Sequence, residues 1–271
     1  MKTNISWLQK NSLFGYFFLA YAISWSISIP MALVSQGILN WKIPFYLHYF
    51  CAYGPMLSAV IMTYVTQGKS GLFALLNRLS IRGMKMPWWF AAFSPLIVYF
   101  VLVIVFRFVQ GEWTNFSLLG DVNFLPNLGV WALFLWIFTY GLGEEIGWRG
   151  YALPRLQKNM SALNATLLLG TLWALWHLPF FFYLFEPFIA IGWFFGLMCG
   201  AVLLTWLYNS TDGKLLVLVL WHGAFNFITG SAAGDGLVAM VMSTFVMIWA
   251  VLLVFIYKPA TLSHNSKHVV E

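Results

Sequence analysis

Eight apolar runs constrain this chain more than any other feature. They cover about 13–35, 43–66, 87–109, 127–149, 164–186, 188–208, 214–230 and 236–257, and a helix needs about 20 apolar residues to cross the hydrocarbon core. Apolarity within them is continuous rather than alternating, which selects helices over barrel strands. Only 8% of residues are charged against 61% hydrophobic, whereas soluble domains carry roughly 25% charged residues. A water-soluble globule is therefore excluded, and so is a disordered chain, which needs high charge and low hydrophobicity. The expectation is an all-α polytopic membrane protein of about eight transmembrane helices, a single integral membrane domain over 1–271. The first run is too long for the apolar core of a cleaved signal peptide and reads as a retained span.

The formal charge of +6 does not imply a nucleic-acid partner, because the basic residues are spread over short loops. Twelve of the fourteen fall on one side: Lys2 and Lys10; Lys69, Arg78, Arg82 and Lys85; Arg149, Arg155 and Lys158; Lys214; Lys258 and Lys267. Lys42 and Arg107 belong to the other side. By the positive-inside rule both termini are cytoplasmic. The stretch 67–86, with four basic residues, reads as a cytoplasmic loop touching anionic headgroups of the lipid bilayer. Cys51 and Cys199 lie inside apolar runs and read as packing residues rather than a disulfide pair. Short loops and compact length suit a bacterial plasma membrane.

Ionisable groups inside a span cost at least ~2.5–3.5 kcal/mol at mid-membrane, so the few present are candidates for chemistry. Six of the eight acids, Glu112, Asp121, Glu186, Asp212, Asp235 and Glu271, fall in loops, at span ends or in the tail. Glu144 and Glu145 instead close the fourth run, in Gly141-Leu-Gly-Glu-Glu-Ile-Gly-Trp-Arg149. With a helix continuing to Arg155, Glu144 sits roughly 16 Å from the charged end. Glu145 and Arg149 are i and i+4 with the acid first, the spacing of a same-face ion pair. Glu144 points about 100° away without a cation of its own, as a general base does. The plainer alternative is that both acids face a hydrated groove.

Two histidines join them. His177 ends Trp173-Ala-Leu-Trp-His177 in the fifth run, and His222 and Asn226 share a face of the seventh at i and i+4. Buried polar groups on three spans are costly unless they meet one another. Counting rise per residue from Lys214 and Asn164 puts His222 about 12 Å deep and His177 about 20 Å. Those levels converge with Glu144 only if the fifth span tilts or starts late. His48 is a further candidate for the same cavity, without local support. Gly68-Lys-Ser-Gly71 sits in the basic loop and Gly234-Asp235 in an outside loop, so neither supplies an intramembrane protease motif.

Glu144-Glu145-x-x-x-Arg149, an aromatic residue (Trp173) four before His177, and His222-x-x-x-Asn226 occur in that order on three spans. The set resembles the CPBP family, the CAAX proteases and bacteriocin-processing (Abi) enzymes. The likeness covers about 128–230, the catalytic core, and its extended stretch Glu-Glu-Ile-Gly-Trp-Arg-Gly-Tyr-Ala-Leu-Pro-Arg-Leu-Gln157 is specific. Trp173 departs from the family's usual Phe; another ring is expected to leave the chemistry intact.

The resemblance implies an intramembrane endopeptidase with a cytoplasm-facing cavity, acting on a membrane-embedded or lipidated protein or peptide. Glu144 and His177 would activate water, His222 and Asn226 would hold the oxyanion, and Glu145, Arg149 and Trp173 would position the site. The same residues also read as a zinc site of Glu144, His177 and His222, so two alternatives stand, hydrolysis with zinc and hydrolysis with no cofactor. A rival of another class is a non-proteolytic bacteriocin-immunity or scaffold protein, which would not need the whole set. A proton-coupled transporter would predict inverted repeats, and none is evident.

Overall fold

A computed structural model describes residues 7–122, 128–234 and 236–270; Lys2, Asp235 and Glu271 of the charge reading lie outside them. Among the described residues there is no strand. The principal helices are α1 (Ser12–Ser35), α2 (Phe45–Asn77), α3 (Met86–Ala92), α4 (Ser94–Gln110), α5 (132–157), α6 (Ala162–Trp176), α7 (Ala190–Ser210), α8 (Leu215–Thr229) and α9 (Leu237–Thr261).

The architecture is an all-α polytopic membrane fold. Each of the eight apolar runs coincides with a helical stretch. By length and apolarity, five helices among the described residues qualify as spans, and six if α3 and α4, bent by 62°, count as one. The other two runs fall short for local reasons. α8 has only 15 residues, and α5 is broken into alternating α and π turns.

α5 occupies the centre. It runs as α over Ala132–Trp136, π over Ile137–Glu144, α over Glu145–Gly147, π over Trp148–Ala152 and α over Leu153–Gln157. Every residue from Gly143 to Pro154 is buried, as expected of a helix enclosed on all sides. Its glycines permit that enclosure. A Cβ on Gly143 would lie 2.6 Å from the Ala52 carbonyl oxygen, and one on Gly147 2.5 Å from Pro55 of α2. On the other side, a Cβ on Gly141 would meet the Val219 carbonyl oxygen of α8 at 2.3 Å. Small residues let backbones approach closely where lipid offers no hydrophobic drive between helices. α1 closes a further side through Tyr16, Ala20, Ser24 and Ser28, all fully buried at i, i+4 spacing, while its Phe14 and Phe18 face outward.

The Lys/Arg-rich segments gather at one end. Arg78 donates to the Gly150 carbonyl (3.0 Å) and the Tyr208 hydroxyl (3.1 Å), and Lys214 to the Arg82 carbonyl (2.8 Å). The tail is tied to the same end: Gln157 donates to the His268 carbonyl, and the His268 amide to the Asn209 side chain. One expectation is corrected here. Residues 69–77 are not loop but helix, because α2 breaks at Gly68 (φ 67°, ψ −159°) and then resumes. A positive φ is accessible to glycine, and burial of Leu75 in the core draws the resumed helix inward.

Gly223 of α8 faces α5, where a Cβ would lie 2.6 Å from the Ile137 Cα; beside Gly192 there is open space. G223A should lose about 1–3 kcal/mol by overpacking. G192A should be neutral or slightly stabilising, since alanine favours helix. Thermal unfolding in detergent micelles checks both, and equal midpoints for the two variants would refute the tight α5–α8 contact.

Candidate active site

The i, i+4 pair expected on α5 is present: Arg149 Nη1 donates to Glu145 Oε1 at 2.9 Å. The same oxygen accepts from His222 Nδ1 of α8 at 2.8 Å. Glu145 is fully buried and Arg149 is 1% exposed. One carboxylate thus joins a cation of its own helix to an imidazole 77 residues away. Breaking a buried pair by removing one partner typically costs 3–5 kcal/mol, because the other charge stays buried.

Glu144 faces elsewhere, as its position one residue earlier requires. Its Oε2 accepts the indole N–H of Trp173 on α6 at 2.6 Å, and more distantly that of Trp148 at 3.4 Å. The resemblance picks out Trp173 as a ring that positions the site but not as a donor, and Trp148 is not picked out from the sequence at all, where tryptophan counts as apolar bulk. The available signal was spacing: Trp148 stands four residues after Glu144, the interval that also joins Glu145 to Arg149. Trp173 touches the other groups too. The Arg149 guanidinium lies 4.5 Å from its ring centroid, a cation–π distance. The His222 ring meets it edge-on at 5.6 Å.

His177 follows the last residue of α6, and its Nδ1 lies 2.8 Å from the Trp173 carbonyl oxygen. A carbonyl can only accept, so Nδ1 carries the hydrogen and Nε2 keeps a free lone pair. Trp176, Trp193 and Phe180 surround the ring at 4.7, 4.9 and 5.3 Å between centroids. α1 steadies this turn of α6: Tyr21 donates to the Leu172 carbonyl and Trp25 to the Trp176 carbonyl.

This geometry resolves the mismatch of levels. Trp173 lies four residues nearer the basic end than His177, or roughly 6 Å along the axis. That puts Trp173, not His177, at the level of Glu144 and His222. Asn226 sits one turn beyond His222 and is half-buried. Among the described residues, no hydrogen bond joins its amide to Glu144, His177 or His222. His48 is buried but stands behind Phe180, bonded through Nδ1 to the Tyr183 hydroxyl at 2.8 Å.

The zinc grouping of Glu144, His177 and His222 is not formed. Among the described residues, no three His, Cys, Asp or Glu side chains are placed to hold a metal ion. Glu144 turns an oxygen to an indole, His222 turns Nδ1 to Glu145, and His177 stands a helical turn away. A cavity of about 210 Å³ opens at the basic end between Gln67, Arg78, Gly150 and Arg155; none of the candidate residues lines it.

Two comparisons bear on this arrangement. Residues 126–228 match the family described as type II CAAX prenyl endopeptidase Rce1-like. The CAAX prenyl protease 2 of Methanococcus maripaludis is 29% identical over 125 residues, 43% of this chain and 45% of that protein. The matched part therefore spans less than half the length of this curated relative. Residues 126–228 contain Glu144, Glu145, Arg149, Trp173, His177, His222 and Asn226, so the resemblance to the CAAX protease family is shown through the stretch that builds the site.

Glu145 and Glu144 should respond differently to the same isosteric change. E145Q leaves Arg149 without a counter-charge and should lower stability by about 3–5 kcal/mol. E144Q keeps an oxygen that accepts from both indoles and should lose far less. Thermal midpoints in detergent decide this, and equal losses would show that Glu145 is not the structural partner.

Proposed function

We propose that this chain is an intramembrane endopeptidase of the type II CAAX kind, hydrolysing a peptide bond near the carboxyl end of a prenylated, membrane-associated protein. The observation that carries the reading is the buried Glu144 carboxylate, held by indole hydrogen bonds and, among the described residues, in no salt bridge, one turn from an imidazole whose Nε2 keeps a lone pair. A structural acid in a membrane core takes a charged partner, as Glu145 does. The substrate class is taken from the name of the archaeal relative.

In the proposed mechanism, water lies between Glu144 Oε1 and His177 Nε2. Its oxygen attacks the scissile carbonyl while Glu144 takes a proton. General-base assistance of this kind contributes typically 10²–10⁴ in rate. The tetrahedral oxyanion is held by the Asn226 amide and by the Nε2–H of His222 in its doubly protonated form, whose Nδ1–H stays on Glu145, each oxyanion donor being worth about 10²–10³. The proton on Glu144 then passes to the departing amine as the C–N bond breaks, which returns the carboxylate to its starting form. Glu145 and Arg149 hold His222 in register. The basic end faces the cytoplasm of the plasma membrane, where a lipid-anchored substrate enters.

An internally quenched, S-farnesylated peptide ending in a C-a-a-X sequence tests the reading in detergent micelles. Wild type should cleave it, E144Q should show no cleavage, and N226A should be slower by about 10²–10³. Equal cleavage by wild type and E144Q would overturn the mechanism. No cleavage by wild type, together with identical protein termini in membranes carrying wild type or E144Q, would favour a non-proteolytic immunity or scaffold role.

A further inference from the structure

Trp173 stands where the family's motif usually has Phe, and the two rings differ in one respect that matters here. Both offer a face to Arg149 and an edge to His222, and either residue has a backbone carbonyl for His177. Only tryptophan carries an N–H. Among the described residues that N–H is the closest donor to Glu144, 2.6 Å from Oε2, while that of Trp148 lies 3.4 Å away. Hydrogen bonds to an ionised acceptor are stronger than neutral ones, so a donor at this position bears directly on how the carboxylate is held.

We infer that Trp173 is a positioning residue of the active site, which sets the orientation of Glu144 through its indole N–H and that of His177 through its backbone carbonyl. This rests on the function proposed above. A glutamate carboxyl turns broadly about its last torsion, so without a fixed donor either oxygen could face the substrate. The indole engages Oε2 and leaves Oε1 for water. The same residue fixes the His177 tautomer, because its carbonyl accepts the Nδ1 hydrogen. The two groups that activate water are therefore referenced to one residue on α6. A misplacement of about 1 Å in such a pair can cost 10²-fold in rate. The substitution of Trp for Phe is thus not the exchange of one ring for another, as the sequence suggests.

W173F retains the ring contact and deletes the N–H. With the farnesylated quenched peptide, kcat should fall about 10–100-fold while KM stays within about twofold, because the indole touches the base and not the substrate. W148F, at the longer distance, should lose less in kcat. A second measurement does not need turnover. In protein labelled with 15N at the indoles, the Trp173 N–H resonance, identified by its loss in W173F, should shift upfield in E144Q as a carboxylate acceptor becomes an amide. Cleavage by E144Q at the wild-type rate would remove the proposed function itself. A dead E144Q beside a W173F of wild-type kcat would leave that function standing and overturn the role of Trp173. An indole resonance unmoved by E144Q would overturn it as well, whether or not any variant turns over.

Discussion

One carboxylate oxygen organises the centre of this protein. Glu145 Oε1 accepts from Arg149 within α5 and from His222 of α8, in surroundings where an unpaired charge would be strongly destabilising. The constraint fixes the rotation of α5 against α8. Once Glu145 faces α8, its neighbour Glu144 faces α6, where Trp173 receives it. The different surroundings of the adjacent acids follow from that single rotation: one is paired with a cation, the other is held by neutral indole donors.

The backbone of α5 accommodates this in an uncommon way. Two π segments flank the short α turn that carries Glu145, and π turns occur frequently at functional sites. Glycines at 141, 143 and 147 let α2 and α8 press directly on that backbone. The helix is consequently short of lipid-facing surface and owes its place to its neighbours. Its failure to qualify as a span by length and apolarity is the same fact seen from outside.

Much of this was legible beforehand, because lipid leaves a chain few options. Continuous apolar runs gave the helices, and the i, i+4 rule gave the Glu145–Arg149 pair despite the π turns beside it. Three features escaped for physical reasons. Indole N–H donors are hidden in residues that score as apolar, so Trp148 passes as packing and Trp173 reads as a ring rather than as a donor. Uniform helical rise set His177 apart from Glu144 in level but did not show that Trp173 reaches Glu144 in its place. Gly68, flanked by polar residues, resembled a loop, whereas it is a single break between two helical segments of α2. The family likeness named seven candidate residues, and the structure adds which of them touch.

The link from Glu145 to His222 also sets a problem of timing during synthesis. The two residues are separated by 77 positions, so at about 5–20 residues per second the acid exists for roughly 4–15 s before its imidazole partner is made. Through that interval Arg149, four residues along the same helix, is the counter-charge within reach. The i, i+4 pair therefore serves the nascent chain as well as the finished fold. It lets α5 wait, internally neutralised, until α8 arrives to complete the bundle.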